Sequence, residues 1–243
     1  MPTPSATLLS QFSKTANASS YTFGPVSPAA NSLALAWLEH HGSTLRSISS
    51  IVGGSAQNGW TSVISVTFNT TATPLDRVEI WRALSAIPTA DSVVTVTLSG
   101  AVSNLQGGVV AFSDVSTAGT NGANAVVQSV SSREDAVSIL TCTLASFAST
   151  VNVPFGSFSW DTIRVNAIAP GASYLELGEA GAGEFSEINS QWTSFNTQTV
   201  VATLTAGTRD VAGVALEIAG ENAAGAAAPS PYYSNYYTRL VAA

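Results

Sequence analysis

The sequence predicts an all-β chain, a jelly-roll-like β-sandwich with an internal pseudo-repeat. Three observations carry the expectation. Apolar and small polar residues alternate with a period of two in run after run, glycine- and asparagine-rich turns separate the runs, and no long 3.6-residue apolar stripe with caps interrupts them. In chain order, "SLALAWLEH" places Leu33, Leu35 and Trp37 on one face. "WTSVISVTF" places Trp60, Ile64, Val66 and Phe68 opposite Thr61, Ser65 and Thr67. "VVTVTLSG" alternates Val94, Val96 and Leu98 with Thr95 and Thr97. The same pattern returns in "DRVEIWRA", "GGVVAFSDV", "ANAVVQSV", "AVSILTCTLA", "ASYLELGEA", "TVVATLTAG" and "DVAGVALEIAG". Between them lie "GGSAQNG", "AGTNGAN", "APGAS" and "GEAGAG", built from residues that tolerate positive φ or cap their own turns. The runs, with a looser pair near Tyr21 and Trp192, amount to about a dozen strands, which points to a sandwich or jelly roll.

Two halves echo one another. "VTVTLSG" followed by "GGVVAFSDVS" matches "VVATLTAG" followed by "VAGVALEIAG", so that Leu98 aligns with Leu204 and Gly108 with Gly213. "NSLALAWLEH" aligns with "DAVSILTCTLA", Asn31 with Asp135. Each half has an apolar face to cover, and two halves face to face share a core. Tandem immunoglobulin-like domains are the rival arrangement, but no Pro/Gly linker separates the halves. The expected organisation is an irregular N-terminal arm over 1–19, a sandwich over 20–220 with halves at about 20–118 and 119–220, and a tether with a tyrosine-rich arm over 221–243.

Composition narrows the function. Of 243 residues, 9% are charged, against roughly 25% in average proteins. Lys14 is the only lysine and the formal charge is −7, so nucleic acid has no basic cluster to bind. At 45% apolar the chain is no disordered segment. A polar but uncharged surface is one that neighbours cover cheaply, because few ions lose their water, and this favours a member of an assembly and a homo-oligomer. No apolar run reaches the length of a membrane span, and no signal peptide is read at the N-terminus. The expectation is synthesis in a host cytoplasm, without membrane or nucleic-acid partners. Cys142, in "AVSILTCTLAS", has no internal partner and reads as a small buried hydrophobe.

From about Tyr21 to Ile218 the chain resembles β-sandwich structural proteins of tailed-bacteriophage virions, of the capsid-decoration or tail-associated type. The resemblance rests on an order of motifs: "AANSLALAWLEH", the "NGW" turn Asn58–Trp60, "VEIWRA", "DSVVTVTLSG" and "GGVVAFSDVS". The chain departs from that pattern at Asp114, where glycine is commoner. The resemblance implies a component of the virion or appendage surface, with other virion proteins as partners.

The candidate sites are few. His40 and His41 are adjacent on a strand and point to opposite faces, so they cannot jointly hold a metal; they read as strand-end surface positions. No GxSxG-type turn accompanies them for a serine triad. Glu176, Glu179, Glu184 and Glu187, with Trp192 near, are the enzymatic or calcium candidates; a solvated loop is the plainer reading. Trp160, with Phe155 and Phe158 in "FGSFSWDT", reads as loop packing or an exposed patch. No catalytic, cofactor or metal site is expected. The interface candidates are terminal: Tyr232, Tyr233, Tyr236, Tyr237, Arg239 and Leu240, carried on an Ala/Gly tether. Tyrosine has a large apolar body, a polar tip and few rotatable bonds, so it anchors contacts at low entropic cost. The expected function is a non-enzymatic virion structural protein, a capsid decoration, cement or fibre-base subunit. A tail-associated or receptor-binding sandwich is the alternative, and a carbohydrate-binding module or polysaccharide depolymerase is the alternative of another class.

Overall fold

The computed structural model describes residues 2–54, 59–69, 75–85, 92–161, 168–181 and 186–221. It is all-β: sixteen strands among the described residues, with a single 3-10 turn, Thr120–Ala125, between the eighth and ninth. The first half comprises β1 (Ser5–Lys14), β2 (Ala18–Val26), β3 (Ser32–Gly42), β4 (Ile48–Gly53), β5 (Thr61–Phe68), β6 (Leu75–Ser85), β7 (Ser92–Val102) and β8 (Asn104–Ser113). The second comprises β9 (Val126–Val137), β10 (Ile139–Thr143), β11 (Val153–Trp160), β12 (Ile168–Pro170), β13 (Leu175–Gly181), β14 (Glu187–Trp192), β15 (Thr199–Leu204) and β16 (Arg209–Ile218).

The halves share one topology. The first forms a five-stranded sheet, β1-β8-β3-β6-β5, and a three-stranded sheet, β2-β7-β4. The second forms β9-β16-β11-β14-β13 and β10-β15-β12, the same two orders strand for strand. All pairs are antiparallel and nested: first with eighth, second with seventh, third with sixth. Nesting of this kind, a long hairpin wrapped on itself, is a jelly roll. In both halves the innermost pair is broken, because the fifth strand pairs with the sixth at the sheet edge and the fourth with the seventh.

Four sheets therefore stack in layers, with three apolar cores between them. Within the first jelly roll the three-stranded sheet closes on the five-stranded one over Tyr21, Val26, Leu38, Trp60, Trp81, Val96 and Leu98. The second does the same over Leu140, Cys142, Phe158, Trp160, Val200 and Leu204. The two five-stranded sheets then face each other over Leu33, Leu35, Trp37, Phe112, Phe155, Ile188, Trp192 and Leu216. Across this central layer β1 meets β13 and β5 meets β9, so each half's first strand lies against the other half's fifth, as a twofold relation requires. The inner strands β3, β8 and β11 of the middle sheets are buried on both faces, which is why β3 is apolar without a break from Leu33 to Leu38. The halves share a core, but each also closes one of its own.

Several expectations are corrected. The N-terminal segment is no irregular arm: Ser5–Lys14 is β1, hydrogen-bonded along β8. The structural mate of β3 is β11, not the β9–β10 segment "DAVSILTCTLA". Trp160, Phe155 and Phe158 belong to this central strand and are fully buried, so they form neither a loop cluster nor an exposed patch. Leu98 and Leu204 do correspond, each lying in its own jelly-roll core. The glycine match moves by one residue. Gly213 pairs with Phe158, which faces the second roll's core, and Gly107 pairs with Leu38, which faces the first roll's core; Gly108 pairs with Trp37 on the central face. Trp60 joins the first roll's core while Ile64 and Val66 pack on the central one, because a register shift between Ser62 and Ile64 breaks the alternation. Asp114 takes φ 57°, the left-handed region that glycine favours and Asp tolerates.

The turn between the halves is fastened to the first. Asn121 Oδ1 accepts from the Leu84 amide (2.9 Å), and its Nδ2 donates to Gly59 O (2.8 Å) and Thr61 Oγ1 (3.1 Å). Its φ of 53° again uses the tolerance of Asn for the left-handed region.

Candidate functional site

One end of the central core is polar. The alternation that places Leu33, Leu35 and Trp37 between the halves continues along β3 to Glu39 and His41, so these two also face the central layer. The ladder sets His41 opposite Asp76 at the start of β6, and Glu39 opposite Gln106 and His41 opposite Asn104 on β8. The second half contributes Asp161, which follows β11, and Ser186, which precedes β14. Glu39, His41 and Asp76 are 0%, 2% and 0% exposed.

These groups form a network across the joint. His41 Nδ1 lies 2.5 Å from Asp76 Oδ1. Asn69 Nδ2 donates to Asp76 Oδ2 and to Asp161 Oδ2, 3.1 Å each, tying the first half to the second. Gln106 Nε2 donates to Ser186 Oγ (3.0 Å), which donates to Glu39 Oε2 (2.9 Å). Burial, and next the charge of Asp76, raise the Glu39 carboxyl well above the usual carboxylate range, against the pull of the Ser186 bond. Burial, and next Asp76, push Asp161 up to about 6.

His40 points the other way, into the first jelly roll. Its Nε2 lies 3.2 Å from Glu79 Oε1, which also accepts from the Ile48 amide (2.9 Å), while Trp81 Nε1 donates to Glu79 Oε2 (3.2 Å). Arg77 Nε makes an ion pair with the same carboxylate at 3.1 Å. Burial alone would raise Glu79, but the bonds from His40 and Ile48 and the charges of His40 and Arg77 outweigh it and hold it below its ordinary value. Both histidines are thus buried and each is matched to a carboxylate on β6, not displayed at a strand-end surface. Their opposite orientation follows from the strand pleat as expected. What sequence reasoning missed is the partner: Asp76 and Glu79 lie far away in the chain, in "LDRVEIWRA", which reads only as a further alternating strand.

Among the described residues, Glu176, Glu179 and Glu187 form no metal-type cluster. Glu176 and Glu179 sit on β13, where burial and next Glu179 raise Glu176. Glu179 Oε1 accepts from the Ile168 amide at 2.8 Å, bracing the short β12. Glu187 is buried at the start of β14, and Glu184 lies outside the described residues. Trp192 cannot stack on a sugar, because it is buried in the central core, edge-on to Phe112 at 6.1 Å. All five tryptophans are buried. Cys142 is buried as expected, its thiol pushed up to about 12 by burial. The terminal candidates Tyr232, Tyr233, Tyr236, Tyr237, Arg239 and Leu240 lie outside the described residues.

A second feature lies on the outside of the stack. In the β2-β7-β4 sheet the outward positions form rows, Ser20–Thr97–Ser50 and Thr22–Thr95–Val52. In the β10-β15-β12 sheet they are Ile139–Thr203–Ala169, Thr141–Val201 and Thr143–Thr199. No charged side chain occupies either set, so among the described residues both three-stranded sheets present outer faces of hydroxyls and apolar side chains. Beside the second face Phe195 and Leu175 are both 64% exposed, and Phe195, Tyr174 and Val201 line a shallow pocket of about 300 Å³. No helix among the described residues is long and apolar enough to cross a membrane. No protein-family model, curated protein or solved structure matches the chain.

Proposed function

We propose that the chain is a non-enzymatic structural subunit of a tailed-phage virion, a capsid decoration, cement or fibre-base component that binds neighbouring virion proteins and copies of itself. The observation that carries the reading is the pair of uncharged outer faces. A neighbour that covers Thr95, Thr97 and Val52, or Thr141, Val201 and Thr203, strips water from hydroxyls and methyls but from no ion, so contact avoids the large penalty of charge desolvation. The internal repeat puts such a face at each end, so one subunit can touch two neighbours. The fold joins the two faces through three stacked, buried cores. The motif order resembling virion sandwiches supports the same reading.

The terminal tyrosines belong to this proposal as a latch. The chain leaves the sandwich at a fixed point, where the Glu221 amide donates to Asp114 O at 2.8 Å beside an open cleft of about 520 Å³ lined by Ser116, Asn124, Asn152 and Glu221. Residues 221–231 have the composition of an Ala/Gly linker, and a flexible chain of that length spans on the order of 18 Å, enough to cross a subunit boundary. Many weak latches acting together hold a lattice through effective concentration.

The test is co-sedimentation with purified virions. A truncation lacking residues 222–243, and a variant with Thr95→Lys and Thr203→Lys, should each melt within a few degrees of the parent and bind particles at least tenfold more weakly. Unchanged binding by both would contradict the reading, and release of reducing sugar from capsule polysaccharide would replace it with the depolymerase alternative.

A further inference from the structure

We propose that Glu39, His41 and Asp76 bind a divalent cation of the manganese or zinc type at the joint between the two jelly rolls, with the side-chain oxygens of Asn104 and Gln106 completing its shell. One ligand atom from each of Glu39, His41 and Asp76 lies within 4.8 Å of the others. Metal–ligand bonds of roughly 2.0–2.2 Å put neighbouring ligand atoms about 3 Å apart, so a small contraction closes the set. The inference is independent of the virion reading.

The second observation is the state of the neighbouring amides. Asn104 is 1% exposed, faces the cluster from the position opposite His41, and neither its oxygen nor its nitrogen has a hydrogen-bond partner. Gln106, opposite Glu39, donates through its nitrogen to Ser186, but its oxygen Oε1 has no partner, and neither does Glu39 Oε1. Buried polar atoms are almost always satisfied, so three unpartnered oxygens around one acid pair and one imidazole mark a place shaped for something that accepts their lone pairs. A cation does so, and so does a donor such as water, from which retention of an ion distinguishes it.

Charge and donor type fix the class. Two carboxylates and a divalent ion sum to zero, which removes the like-charge conflict of two buried acids. An imidazole nitrogen among oxygen donors favours manganese or zinc over calcium or magnesium. On binding, the ion replaces the contact between His41 Nδ1 and Asp76 Oδ1, and any proton held on a ligating atom of Glu39, His41 or Asp76 leaves to solvent. The site is closed, with its protein ligands inside the stack, so its role is to fasten the joint. Its ligands come from β3, β6 and β8 of the first roll, and Ser186 and Asn69 relay them to the second.

The experiment compares full-length protein stripped with a chelator and then loaded with Mn²⁺ or Zn²⁺ alone. After gel filtration we expect about one ion retained per chain by elemental analysis, and a melting temperature several degrees above that of the stripped protein. His41→Gln should weaken retention at least tenfold, whereas His40→Gln, on the opposite face of the same strand, should retain the ion as the parent does. No retained ion and no change in melting temperature in the parent would overturn the proposal, even if His41→Gln does not fold. Equal loss from both histidine variants would overturn it too.

Discussion

At the scale of single residues, the close approach of backbone to side chain in the middle sheets sets the strictest demands. Gly107 has φ 133°, and a Cβ built there would lie 1.9 Å from Trp37 O. Its repeat mate Gly213 would place a Cβ 2.5 Å from the Phe158 ring. Gly59 also has positive φ (72°) but meets nothing within 4 Å. Gly107→Ala and Gly213→Ala should therefore each cost more than about 3 kcal/mol or abolish folding, and Gly59→Ala about 1 kcal/mol, as read from urea unfolding. Equal tolerance of all three would mean that the β3–β8 and β11–β16 ladders are not packed as described. The glycine was visible in the sequence as a repeat marker, but its partner was assigned one residue late, because "GG" offers two choices and only the facing core separates them.

At the scale of elements, alternation identified most strands, and its failures have local causes. In β1 the apolar residues are Ala6, Leu8, Leu9 and Phe12, which is neither strict alternation nor a stripe. The register shift between Leu8 and Ser10 explains this: Ala6 and Leu8 pack on the central core, and Leu9 and Phe12 on the first roll's core. A bulge turns the pattern over halfway, so the segment looked irregular. The mate of β3 was missed for another reason. The third to seventh strands are longer in the first half than their mates in the second, so the offset between the halves shrinks along the chain and a fixed offset finds only β7/β15 and β8/β16. The polar joint was illegible because its members come from β3, β6, β8 and the ends of β11 and β14, which only the topology brings together. Deleting residues 1–14 should unpair the edge of β8 and remove the Phe12–Phe23 stack at 3.9 Å. We expect a melting temperature lower by roughly 10 °C or more and visible aggregation, as an opened sheet edge templates pairing. A truncated protein that melts like the parent would return the segment to the status of an arm.

At the scale of the whole molecule, the two rolls depend on each other for one of their three cores. An isolated first half, residues 1–118, keeps its own core but uncovers Leu33, Leu35, Trp37 and Phe112 together with the buried Glu39, His41 and Asp76. An exposed apolar sheet face of this size is an association surface. We expect the half to form homodimers through that face or to precipitate; a stable monomer by sedimentation equilibrium would refute a central core that both rolls need. In the intact chain this face is covered by the second roll, and the three-stranded sheets turn their uncharged faces outward. Electron microscopy of virions purified from a lysate in which the chain is made tests most directly what these faces touch. The account predicts the four-layer stack in repeated copies on the particle, with at least one three-stranded outer sheet against a neighbour. Particles that lack the chain, or that hold it with both outer sheets free in solvent, would contradict it.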